Sequence, residues 1–178
     1  MCLTIATVFL VPFVFICLLV RLTSPGPVIY WSDRVGQFNN LFKMPKFRSL
    51  KTGTPAVATH LLKDPDQWLT PIGSFLRKSS LDEIPQLWSI FKGDMSFVGP
   101  RPALFNQIDL IDLRTKNGVH ALLPGLTGWA QVNGRDELLI SEKVQLDVEY
   151  LHKRSFLFDL KILVMTAQKV LSRSEVTH

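Results

Sequence analysis

The sequence predicts a mainly helical α+β protein, with an apolar N-terminal membrane helix, a small β-hairpin, and amphipathic interfacial helices around one domain. Three observations predict it. Leu3 to Val20 carries no charge, and Arg21 closes the run. Val28–Trp31 and Leu41–Arg48 are extended, β-rich stretches on either side of the turn Val35–Asn40. Leu138–Leu151 and Leu160–Leu171 read as two helices with apolar faces. The boundaries expected are a membrane-inserted helix at 1–22, one domain at 23–171, and a frayed tail at 172–178.

Composition sets the class. With 178 residues the chain can bury one real core, and is too short for two comfortable domains. Hydrophobic residues make up 47%, yet 20% are charged, so this is not a bundle of membrane spans. The net charge of +5 points to an anionic partner, such as a phosphate-bearing substrate or anionic lipid. Nucleic acid fits poorly: the basic residues are scattered and no recognition motif is present. Cys2 and Cys17 both lie in the apolar leader, which gives no disulfide framework and fits a reducing compartment.

The leader is barely long enough to cross a bilayer, which takes about 20 residues. Pro12 lies in its middle, where it removes a helix hydrogen bond and invites a kink. The uncharged Met1–Thr4 and the absence of a small-residue site near Val20–Leu22 argue against a cleaved signal. A straight span and a helix broken at Pro12, entering and leaving on one face, both fit. Thr23-Ser24-Pro25-Gly26-Pro27 ends the helix. After the hairpin, Lys51–Asp66 reads as a loop with a short helix at Ala58–Lys63. Thr70–Lys78 reads as a short helix with Pro71 at its first position and a basic end. Ala103–Asn117 reads as a further helix.

Chemistry concentrates at Ser80-Leu81-Asp82-Glu83-Ile84-Pro85-Gln86-Leu87-Trp88. Ser80 and Glu83 have the S-x-x-E spacing of a capping box, with Ile84, Leu87, Trp88 and Phe91 at helical spacing behind them. That pattern predicts an amphipathic helix whose positive end holds Asp82 and Glu83 ionised and welcomes a phosphate. Pro85 is tolerable there because first-turn N–H groups lack helical partners. A capped helix whose acids do only structural work satisfies the same pattern. The isolated His60, His120, His152 and His178 have no metal-ligand spacing. A core role for Trp129 is at least as consistent as contact with a base or sugar.

Lys46-Phe47-Arg48-Ser49-Leu50, Leu76 to Leu87, and Lys92 to Pro102 with its Gly99-Pro100-Arg101-Pro102 turn resemble signature blocks of the bacterial sugar transferases. These are the monotopic phosphoglycosyl transferases acting on polyprenol phosphate. Pro124 to Arg135, Leu146 to Tyr150 and Phe158 to Leu163 resemble the later blocks, so the likeness runs nearly the whole chain. The chain resembles the minimal catalytic form. Two departures stand out. The chain starts almost inside the apolar helix, without the basic stretch that usually precedes it, and Val11-Pro12 stands where many members have Ser-Pro.

The resemblance implies a reaction. A sugar 1-phosphate moves from a nucleotide-diphosphate sugar, usually UDP-linked, to polyprenol (undecaprenyl) phosphate, and the nucleoside monophosphate leaves. It opens assembly of an exopolysaccharide, O-antigen, capsule or glycoprotein glycan. Asp82 matches the covalent nucleophile. Glu83 matches the acid that helps hold Mg²⁺, with Asp82 beside it. Lys46, Arg48, Arg77, Arg101, Arg135 and Asp147 match positions expected to bind or support substrate, with Arg77, Arg101 and Arg135 clamping phosphate oxygens. The resemblance also implies a re-entrant leader in the bacterial inner membrane, contact with membrane lipid, and a catalytic domain on the cytoplasmic face; it allows a homodimer. A catalytically silent membrane-surface module is the competing reading, and intact Asp82 and Glu83 argue against it.

Overall fold

The computed structural model describes residues 2–55, 57, 64–134 and 138–172, with 2–10, 171 and 172 as backbone alone. The expected helix at Ala58–Lys63, the tail beyond residue 172, His60, His178 and Arg135 lie outside the described residues. Two compact units form, one from residues 1–31 and 45–85, the other from 32–44 and 86–177.

In the first unit, helix α1 (Cys2–Thr23) runs through Pro12 as one helix. Phe13, Ile16, Cys17 and Val20 follow one another at i, i+3, i+4 and i+7, and this stripe faces the unit's core. There it meets Phe47 of β2 (Leu41–Phe47), Leu76 of α2 (Gly73–Lys78), and Val28 and Ile29. The Phe13 and Phe47 rings lie 5.1 Å apart. Burying each such side chain contributes about 1.5–3 kcal/mol. The opposite stripe, Val11, Val14, Phe15, Leu18 and Leu22, is exposed. Among the residues whose side chains are described, no helix is long and apolar enough to cross a membrane. Thr23 donates its hydroxyl to the Leu19 carbonyl as the helix ends.

Strand β1 (Ile29–Val35) and β2 form the expected hairpin, closed by a 3-10 turn at Gln37–Asn39 in which Phe38 and Asn39 take positive φ. In the second unit, β1 pairs antiparallel with β4 (Ala103–Leu104), aligning Arg34 with Leu104 and Val35 with Ala103. This corrects the helix expected over Ala103–Asn117: α4 spans Ile108–Lys116 only, because its first residues are taken by the sheet. Strands β3 (Ser96–Val98) and β5 (Gly125–Thr127) pair in parallel, Ser96 beside Gly125 and Val98 beside Thr127. The short α5 (Trp129–Val132) follows.

Helices α6 (Ile140–Lys153) and α7 (Phe156–Ser172) correspond to the two expected helices, with α7 starting at Phe156, ahead of the expected Leu160. Glu142 accepts from the Leu139 N–H at 2.8 Å, securing the start of α6. The unit's core joins Val98, Val119, Leu122, Val132, Tyr150 and Ile162, with Trp129 packed against it. Trp129 is thus a core residue, its indole N–H donating to Glu149 at 2.9 Å. Most of the α7 circumference stays uncovered: Ile162 is fully buried, while Phe156, Leu157, Leu160, Leu163 and Val164 are exposed.

Candidate active site

The acidic pair lies in the first unit, on a 3-10 segment spanning Leu81–Gln86 that leads into α3 (Leu87–Phe91). This corrects the capped α-helix expected from Ser80. A capping serine takes extended backbone, whereas Ser80 has φ of +56°, in the left-handed region. Its carbonyl accepts the Glu83 N–H at 3.2 Å, a tight turn in place of a capping box. Pro85 reinforces the outcome by disfavouring α geometry at the residue before it. Asp82 and Glu83 therefore gain no helix-dipole field, since six 3-10 residues present no long ladder of aligned peptides.

Another rule now places the acids. In a 3-10 helix, side chains three apart eclipse. Leu81 and Ile84 therefore share a row and pack into the core with Phe47 and Leu76. Asp82 and Pro85 share the next row and are both buried, Asp82 with 7% of its surface exposed. Glu83 falls on the third row. Its Oε1 meets Lys46 Nζ at 2.8 Å, with both side chains mostly covered. Lys46 comes from β2, between buried Pro45 and Phe47. Arg77 lies in the last turn of α2, half-buried, and its carbonyl accepts the Ser80 N–H.

Arg48 has a different occupation. It is 4% exposed, and its guanidinium donates to the carbonyls of Ser24, at 2.7 Å, and of Pro25. Burial first, and then the charge of Arg21, push its pKa down. It serves as a clasp on the chain leaving α1, and Gly26 at φ +120° leaves room for it, since a Cβ there would lie 2.5 Å from Arg48 Nη1. Arg48→Met should therefore cost about 1–3 kcal/mol, chiefly because the buried Ser24 carbonyl loses its donor, with the partly buried Pro25 carbonyl beside it. Urea unfolding in detergent measures this; an unchanged midpoint with a raised KM for sugar nucleotide would return Arg48 to substrate binding.

Arg101 and Asp147 belong to the second unit. Asp147 is 1% exposed, and its Oδ2 accepts from Arg114 Nε at 2.9 Å and Nη2 at 2.7 Å. Burial pushes its carboxyl above the usual carboxylate range, against the downward pull of Arg114 and, more weakly, Lys143. Arg114 is the residue that sequence reasoning missed. The signal was readable: Arg114 follows buried Leu110 by four positions on α4, and Asp147 follows buried Val144 by three on α6. Opposite charges on two apolar faces demand each other. Among the described residues, no three His, Cys, Asp or Glu side chains gather to hold a metal ion. Two neighbouring carboxylates nonetheless suit Mg²⁺, which takes one or two from the protein and the rest from phosphate and water.

The family of bacterial sugar transferases matches residues 1–173. The chain is 42% identical over 152 residues to an uncharacterized sugar transferase, EpsL, of Bacillus subtilis, covering 85% of this chain and 74% of that one. It is 40% identical over 162 residues to the UDP-glucose:undecaprenyl-phosphate glucose-1-phosphate transferase of Escherichia coli, and 34% over 161 residues to the UDP-N-acetylgalactosamine-undecaprenyl-phosphate N-acetylgalactosaminephosphotransferase of Aeromonas hydrophila. Each of these two alignments covers 86% of this chain, but 35% and 38% of the relative's length. The chain belongs to the bacterial sugar transferase family.

Proposed function

We propose that this chain transfers a sugar 1-phosphate from a UDP-sugar to undecaprenyl phosphate, through a covalent intermediate on Asp82. The observation that carries the reading is the Asp82–Glu83 pair, set on a 3-10 segment with Lys46 against Glu83. The activities named for the two undecaprenyl-phosphate relatives support the same chemistry. A carboxylate oxygen of Asp82 attacks the phosphorus next to the sugar. The bond from that phosphorus to the bridging oxygen breaks, and UMP leaves with its electrons. An oxygen of undecaprenyl phosphate then attacks the same phosphorus. The acyl-phosphate bond breaks, the Asp82 carboxylate is restored, and the sugar leaves on an undecaprenyl diphosphate.

Lys46 holds Glu83 in place and offsets its charge as the diphosphate arrives. Arg77 and Arg101 bind phosphate oxygens, and Arg135 is assigned to the same work. Asp82 and Glu83 would supply two oxygen ligands for Mg²⁺, which when bound neutralises charge building on the diphosphate. The exposed apolar stripe of α1 and that of α7 lie against lipid at the inner membrane, with the chemistry on the cytoplasmic side.

Intact-protein mass in detergent tests the reading, with Mg²⁺ and UDP-glucose, UDP-galactose or UDP-N-acetylgalactosamine and no undecaprenyl phosphate. A mass gain of one phosphosugar is expected with at least one donor, discharged when undecaprenyl phosphate is added. A folded, membrane-binding chain that takes no adduct from any donor would overturn the reading in favour of a silent surface module.

A further inference from the structure

The turn Pro100-Arg101-Pro102 has every one of its carbonyls held. Pro100 O accepts the Gly125 N–H at 2.9 Å. Arg101 O accepts Arg114 Nη1 at 2.8 Å. Pro102 O accepts Arg34 Nη1 at 3.1 Å, and Arg34 Nε is itself anchored on Ser32 Oγ at 3.0 Å. The two prolines bring no N–H and fix φ on either side of Arg101. Arg114 has no freedom to drift, because Asp147 takes its Nε and Nη2 while its remaining arm reaches the turn. The side chains of Arg114 and Asp147 are 11% and 1% exposed.

Such an arrangement exceeds what stability asks. A buried ion pair is, energetically, often no better than well-packed apolar residues. A guanidinium spanning a carboxylate and a backbone carbonyl does something apolar residues cannot: it fixes where that carbonyl, and so the next Cα, stands. We infer that Arg114 and Asp147, with Arg34 on the far side, are positioning residues for Arg101, presetting its backbone so that its guanidinium meets substrate phosphate without reorganisation. This rests on the reading of Arg101 as a phosphate contact. Asp147, expected from the sequence to bind or support substrate, is assigned here with Arg114 and Arg34 to act through Arg101, and a small misplacement of such a group is costly to the rate.

The test is a double-mutant cycle on the initial rate of phosphosugar adduct formation, using the UDP-sugar that labels the native chain fastest. Arg114→Lys keeps the charge but not the three-way fork. It is expected to lower kcat/KM about 10²-fold in the native background and less than twofold in an Arg101→Ala background. Because Arg114→Lys can weaken the fold, the pair Arg114→Met with Asp147→Leu is measured beside it. That chain should keep its melting temperature and still show the full loss of rate. Equal losses in both backgrounds, an Arg101→Ala chain as fast as the native one, or a fully active apolar pair would each overturn the positioning role alone. No adduct on the native chain would overturn the functional reading and the positioning role with it.

Discussion

Asp82→Asn is expected to leave the fold intact and to abolish the phosphosugar adduct. Asparagine has nearly the shape of aspartate, and its amide can occupy the same buried row beside Pro85. It lacks the carboxylate that, in the proposed mechanism, attacks phosphorus. Loss of a covalent nucleophile costs on the order of 10⁴-fold or more in turnover, because no other group stands in the same place. Glu83→Gln should behave differently. It weakens the hold of Lys46, now 2.8 Å from a neutral amide, and removes one prospective Mg²⁺ ligand, but leaves the attacking atom. The adduct should form slowly there and not at all in Asp82→Asn. Melting temperatures of both chains, taken beside intact mass, check the pair. An adduct retained by Asp82→Asn would move the nucleophile elsewhere.

Gly125→Ala should strongly destabilise the second unit. A Cβ at Gly125 would press into the backbone nitrogen of Gly99 and the carbonyl of Thr127, with Gly99 Cα 2.7 Å away. All three are main-chain atoms, held by the parallel pairing of β3 with β5, so no side chain can swing aside. Gly99 and Gly128 face the same constraint from their own sides: a Cβ at Gly99 would meet the Leu123 carbonyl at 2.5 Å, and one at Gly128 the Gly99 carbonyl. Overpacking costs about 1–3 kcal/mol even where side chains can yield, and here none can. A loss of about 3 kcal/mol or more lowers the melting temperature by more than about 10 °C in a unit of this size. Gly93→Ala is the control, with φ of +84° but open space around its Cβ, so it carries backbone strain alone. If Gly125→Ala melts no lower than Gly93→Ala, the close approach of the two backbones is not what makes these glycines necessary.

What the sequence made legible was local. Two apolar stretches around Gly36 sufficed for the hairpin, and the apolar runs of α6 and α7 sufficed for those helices. The segment from Ser80 to Trp88 misled because Ser80 and Glu83 matched a capping box that the Ser80 backbone conformation forbids. Propensity cannot see a left-handed serine. The two-residue strand Ala103–Leu104 was hidden because only its distant partner, Arg34–Val35, makes it a strand. Among the site residues, Asp82, Glu83 and Lys46 emerge in one unit, on adjoining segments. Arg48 matched a family position expected to bind or support substrate. Only the path of the chain after α1 reveals the carbonyls it serves.

The held turn around Arg101 also has an order of assembly. On a ribosome, Arg34 emerges before the turn, whereas Arg114, Gly125 and Asp147 all emerge after it. The nascent chain thus displays Asp82, Glu83, Arg77 and Arg101 while most of the scaffold for the last of these is still unmade. Translation must pass α6 before Arg101 can be presented, so a chain halted ahead of Asp147 would carry much of the assigned chemistry without the means to aim it.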